Sequence, residues 1–165
     1  MALIVEDGTG MATAESYISV AAADDYLSKR NRDTTWTTYT TAQKEGYLRA
    51  ATEYVDAVCA WKGTVSTVDQ ALGWPRGNVL DKWGRLIASD EIPTQVKNAV
   101  AEVAAQGAIA QTGEQMIKEE TVGPITTVYE TAQDRTVGAS LYQLAFALVA
   151  SLTTNRSGAI PMVRA

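Results

Sequence analysis

Apolar residues return at helical intervals in four stretches of the chain and lose that period in one long stretch between them. Residues Ala14–Val20 read as a short extended segment. Ser19 then stands where it can cap a helix running to about Arg30, with Tyr26 and Leu27 as its apolar contacts. The Thr-rich stretch Asn31–Thr41, around Trp36 and Tyr39, reads as a loop. Thr40 with Gln43 forms a capping box, and the spacing predicts the longest helix from Thr41 to Trp61. That helix carries two apolar stripes, Leu48, Ala51, Val55 and Val58 on one side and Tyr47, Tyr54 and Trp61 on another. A helix greasy on two sides has to be covered twice. Either it is the central core helix, or the stripe of Tyr47, Tyr54 and Trp61 meets another subunit.

From Lys62 to Ile92 the helical period is gone, and Gly63, Gly73, Pro75, Gly77 and Gly84 punctuate the chain. Within it, Asp81-Lys82-Trp83-Gly84 between Val79-Leu80 and Arg85-Leu86-Ile87 reads as a tight turn joining two short strands. Pro93 suits the start of a second long helix, with Val96, Val100, Val103 and Gly107 along one face and alanines between them that permit close packing. Ile117–Tyr129 reads as an extended segment interrupted at Gly123-Pro124. A last helix, about Ser140–Leu152, is predicted to present Leu141, Leu144, Ala145, Leu148 and Leu152. Gly158 and Pro161 prevent helix beyond it, so residues 153–165 form an extended tail on a helical domain of residues 1–152. The fold class is therefore mainly α: a small helical bundle with an inserted loop or β-hairpin at about 62–92 and an extended C-terminal tail.

Composition narrows the chemistry. The 165 residues contain no His and one Cys, which excludes His-dependent nucleophilic catalysis, His-ligated zinc and an internal disulfide. Cys59 sits in an apolar context and reads as a buried structural thiol. The pairs Asp24-Asp25, Asp90-Glu91 and Glu119-Glu120 are poor candidates for acid–base catalysis, because adjacent side chains diverge on helix or strand. Gly8-Thr9-Gly10 lacks the rest of a phosphate-binding fingerprint. The expectation is a protein with no enzymatic activity, no cofactor and no metal. The short apolar start, Met1–Val5, has no basic region ahead of it and predicts a protein kept in a cytoplasm. The apolar run Leu141–Leu152 is too short to cross ~30 Å of hydrocarbon, so no membrane partner is expected. Of the apolar residues, 26 are Ala and one is Phe, so large core side chains are scarce and burial against neighbouring subunits is expected.

One segment interleaves aromatic and basic residues. Trp61-Lys62, Trp74-Pro75-Arg76 and Lys82-Trp83-Gly84-Arg85 offer stacking faces beside cations, the pattern that single-stranded nucleic acid binding uses. Trp74, Arg76, Trp83 and Arg85 are the residues that would carry it. The structural alternative makes Trp74, Pro75 and Arg76 the anchor of the long loop. A net charge of −5 weighs against a nucleic-acid partner, whose binding draws affinity from counterion release at a basic surface.

The same residues carry a resemblance. Arg49-Ala-Ala-Thr-Glu-Tyr-Val-Asp56, Trp61-Lys-Gly63, Gln70-Ala-Leu-Gly-Trp-Pro-Arg76, the run from Asp81 through Gly84-Arg-Leu-Ile-Ala-Ser-Asp-Glu-Ile-Pro93, and Val96-Lys-Asn-Ala99 resemble a bacteriophage family often labelled DnaT-like single-stranded-DNA-binding. Their layout is similar to the head–tail adaptor, or head completion, proteins of long-tailed phages, over about residues 1–130. The adaptor resemblance implies a virion structural subunit assembled in the host cytoplasm. It implies a homo-oligomeric, dodecameric ring at the neck between the portal protein and a stopper or tail-terminator protein, with DNA passing through the lumen without sequence-specific binding. The tail residues Arg156, Ile160, Met162, Val163 and Arg164 are then expected to enter the portal. The acidic, Ala-rich chain lacks a basic stripe, which ranks the adaptor first and a single-stranded-DNA-binding replication accessory second.

Overall fold

The computed structural model describes residues 2–107, 119–122, 125–128 and 142–154, and the structural statements that follow concern these. They are mainly α, as the spacing predicts. Helices α1 (Val20–Ser28), α2 (Thr41–Val58), α3 (Thr94–Ala105) and α4 (Gln143–Val149) are joined by two small antiparallel sheets. Strand β1 (Thr64–Val65) pairs with β2 (Arg76–Gly77). Strand β3 (Glu119–Val122) pairs with β4 (Ile125–Val128), in the segment read as an interrupted extended stretch.

The two helix starts predicted from side-chain caps form as expected. The Ser19 hydroxyl accepts from the Ala22 amide at 3.2 Å, satisfying one of the amides that a helix start leaves without a backbone partner. At α2, the Thr40 hydroxyl accepts from the Gln43 amide and the Gln43 side chain accepts from the Thr40 amide.

The helix at the centre is α3 rather than α2: it packs against α1, α2 and α4. Seven of its 12 residues are buried, and its small Ala and Val side chains let the three neighbours approach closely. Its predicted face of Val96, Val100, Val103 and Gly107 lies in that core. Glu102, buried among them, accepts from the Tyr26 hydroxyl and the Arg32 guanidinium, both at 2.9 Å. Burial and the bond to Glu102 push the Tyr26 phenol up to about 12, which keeps it a neutral donor.

Two readings of the spacing need correction. First, α2 stops at Val58, three residues short of Trp61, because Cys59 turns extended and the chain from Ala60 to Lys62 pairs with residues 152–154. The Lys62 amide donates to Leu152 and the Thr154 amide to Ala60, so Thr153 and Thr154 are held to the body. Second, the last helix is shorter and rotated. Tyr142, Ala145, Val149 and Leu152 are buried, whereas Leu144 is 40% exposed; Leu141 lies outside the described residues. The aromatic ring of Tyr142 wins the inward position by packing on Tyr54, with centroids 5.1 Å apart. The rings of the aromatic stripe make contacts within the chain, Tyr47 on Tyr39, Tyr54 on Tyr142 and Phe146, and Trp61 on Trp74, and all three stay half-buried.

The loop from Cys59 to Ile92 is tied to the bundle through Asp56, on α2. Its carboxylate accepts from the Tyr17 hydroxyl at 2.6 Å, the Trp61 indole at 2.9 Å and the Gly73 amide at 2.8 Å, and the Tyr17 oxygen accepts from the Trp74 amide at 3.0 Å. Burial and the Asp56 charge drive the Tyr17 phenol far above its ordinary range, so it stays protonated and donates. Gly73 is required here, since a Cβ would meet the Trp61 indole and an Asp56 oxygen at under 3.0 Å. Replacing Asp56 with Ala strands three donors at once. At about 1–3 kcal/mol for each group left unpaired, Asp56→Ala is expected to lower stability by roughly 3–5 kcal/mol in urea unfolding; a loss below about 1 kcal/mol would show that the loop is held elsewhere.

Candidate nucleic-acid interface

The four residues picked out for single-strand contact fall into two groups with opposite surroundings. Trp74 is fully buried beside Pro75, and its ring meets Trp61 edge-on at 5.9 Å. No base can reach it. Arg76 spends its guanidinium on the backbone, donating to the carbonyls of Lys62, Gly63 and Gly73 at 2.7–3.0 Å. These two residues hold the loop and are not available for a ligand.

Trp83 and Arg85 lie at the other end, on the tip of the short hairpin around the Leu80–Leu86 bridge. The turn predicted there forms, closed by hydrogen bonds between Asp81 and Arg85 and between Ile87 and Val79. Asp81 builds the tip. One of its oxygens accepts from the Trp83 and Arg85 amides at 2.8 and 2.9 Å, and the other pairs with the Arg85 guanidinium at 2.7 Å. Gly84 supplies the positive φ of 78° that closes the turn.

The result is an indole standing 65% exposed. Lys82 Nζ and Arg85 Cζ both lie over its ring, 4.2 and 4.9 Å from the centroid, so the two cations rest on the indole in cation–π contact. A groove of about 360 Å³ opens next to it, lined among others by Leu86, Glu91, Pro93 and Gln95. Flat aromatic surface, adjacent cations and a small mixed groove can hold a planar ring with a negative charge attached.

Elsewhere the candidate chemistry resolves into structure. Asp24 accepts from the Trp36 indole and Lys44, and Asp25 pairs with Lys29. The Gly8 and Gly10 amides are taken by Glu6, a buried carboxylate that also accepts from Met11 at 2.8 Å. The loop is an anion cradle filled by its own side chain. Cys59 is buried, and desolvation pushes its thiol up to about 11. Among the described residues there is no group of His, Cys, Asp and Glu that could hold a metal, and no helix is long and apolar enough to cross a membrane. Of the expected tail contacts, Arg156, Ile160, Met162, Val163 and Arg164 lie outside the described residues.

Fold and surface together define a small, mainly α protein whose buried polar groups serve its own loops and whose hairpin tip exposes an aromatic ring with two cations over it. The family model described as Putative DnaT-like ssDNA binding protein matches residues 1–165, and the chain belongs to that family. The match runs past the 1–130 range that carries the resemblance in sequence. Comparison with curated proteins and with solved structures gives no match.

Asp81 gives the tip a pH signature. Its partial burial raises the carboxyl, but hydrogen bonds from Arg85 and Trp83 and the Arg85 charge outweigh this and hold it below the ordinary 3.8. A depressed value in the folded state means the tip is fully braced above the ordinary value and loosens as pH falls through the lowered one. The Trp83 and Arg85 amide signals should therefore titrate together in NMR spectra with a midpoint below 3.8. Asp81→Asn should abolish that shared titration.

Proposed function

We propose that this protein is a binding protein, without catalytic activity, that contacts single-stranded DNA through the hairpin tip at Lys82, Trp83 and Arg85. The observation that carries this reading is the exposed Trp83 indole with two cations resting over its ring. The family description supports it by naming single-stranded DNA. Lys82, which has no ion pair among the described residues, leaves the ring for the phosphate, and a base takes its place on the indole. Arg85 adds less, because its guanidinium is already paired with the largely enclosed Asp81 carboxylate.

Net charge of −5 shapes the expected behaviour. With one or two phosphates neutralised, the log–log salt slope should lie between about −0.7 and −1.4, far flatter than for a basic-groove protein. Most of the affinity then comes from the stack. Trp83→Ala is expected to weaken binding of a labelled oligonucleotide by about 5- to 150-fold in anisotropy titrations, the equivalent of ~1–3 kcal/mol for one stacked base, without lowering the melting temperature. Unchanged binding by this variant would remove the hairpin from the reading.

A second reading, the dodecameric head–tail adaptor between portal and neck in a virion, draws on a different observation. Val65, Val68, Leu80 and Leu86 are exposed, with Val68 97% exposed, and a neighbouring subunit would relieve that cost. Sedimentation velocity separates the two. Ring-sized particles that ignore oligonucleotide favour the adaptor, and small particles that bind it favour the hairpin contact.

A further inference from the structure

The groove beside Trp83 contains an acceptor that the phosphate-binding role does not use. Asp81, on the groove wall, has both oxygens committed to the turn. Glu91, on the same groove, has no ion pair or hydrogen bond to its side chain among the described residues, and Gln95 follows it four residues on. We propose that Glu91 makes the groove a base pocket that selects single-stranded segments carrying an exocyclic amino group, cytosine over thymine. The inference rests on the single-stranded-DNA reading above and deepens it.

Charge sets which end of a nucleotide enters. A phosphate beside an unpaired carboxylate is repelled, so the backbone stays outside at Lys82 and the base turns inward, between the indole and the apolar Leu86 and Pro93. A volume of about 360 Å³ is at the small end of ligand pockets, suited to one ring and not to a length of strand. The edge of that ring then meets Glu91. An ionised carboxylate only accepts, so it pairs with the cytosine N4 amine and opposes the thymine O4 carbonyl. In a duplex that same edge is occupied by base pairing, and the pocket therefore reads single strands. Cytosine and thymine have rings of equal size, so stacking on Trp83 differs little between them and the discrimination falls on the carboxylate.

The test uses the full chain and two fluorescein-labelled probes of equal length, oligodeoxycytidine and oligothymidine, in anisotropy titrations at low salt. The wild type should bind the cytidine probe at least about fivefold more tightly. Glu91→Gln gives an amide that both donates and accepts, so both affinities should rise and their ratio should fall to about one. Asp69→Asn removes the same charge at an exposed position that does not line the groove and should leave the ratio at its wild-type value. Equal binding of the two probes by the wild type overturns the base pocket, as does a preference that survives Glu91→Gln or disappears with Asp69→Asn. Binding of neither probe overturns the single-stranded-DNA reading itself.

Discussion

The pairing of the Asp56 carboxylate with the Tyr17 hydroxyl joins three parts of the chain that sequence separates widely. Tyr17 belongs to the segment before α1, Asp56 to the last turns of α2, and the groups they also bind, Trp61, Gly73 and Trp74, to the loop. Charged acceptors form stronger hydrogen bonds than neutral ones, and a partly enclosed carboxylate with three donors is the cheapest way to bury that much polar backbone. With Asp56 in place, Trp74 can fill the core beneath the loop and Arg76 can gather the carbonyls of Lys62, Gly63 and Gly73. Without it, the loop beyond Cys59 has a buried tryptophan and, among the described residues, no hydrogen bond to α2.

That anchoring decides where function can sit. The loop's base is committed to the fold, with its aromatic and cationic groups turned inward, and its tip is left to solvent. A stacking surface works best on a support that does not move, because less ordering entropy is lost when a ligand docks. Asp81 extends the support to the tip itself by fixing the backbone on both sides of Trp83. Two tryptophan–arginine pairs separated by a few residues thus do unrelated work: Trp74 and Arg76 hold the base of the loop, and Trp83 and Arg85 face outward.

Local signals made much of this legible. Ser19, the Thr40/Gln43 box and Pro93 marked helix starts because capping depends on neighbours only a few residues away. The turn around Trp83 was visible for the same reason. What the spacing could not show was competition between distant segments. The heptad of Tyr47, Tyr54 and Trp61 suggested one helical face, but pairing of residues 60–62 with 152–154 ends α2 before Trp61. The leucine pattern of the last helix was overruled by Tyr142, whose partner Tyr54 lies 88 positions earlier. Among candidate site residues, Trp74 and Trp83 look alike in sequence, each beside an arginine, and only the Asp56 network separates the buried one from the exposed one. Glu6 and Asp56 passed unnoticed because a carboxylate that collects backbone amides has no characteristic spacing.

An acidic chain can use such a tip without the usual basic surface. Counterion release scales with the number of phosphates neutralised, so proteins that depend on it need a broad cationic face and bind any nucleic acid that touches it. On the proposed reading, the surrounding negative charge would oppose nonspecific adhesion and confine contact to a site where the indole can face a base and a lysine a phosphate. Stacking requires an unpaired base and a geometry within van der Waals reach, so the interaction is short-ranged and selects single strands over duplex. Acidity elsewhere on the chain would then sharpen the proposed contact at Trp83, because it removes the long-range attraction that would otherwise hold the wrong form of DNA.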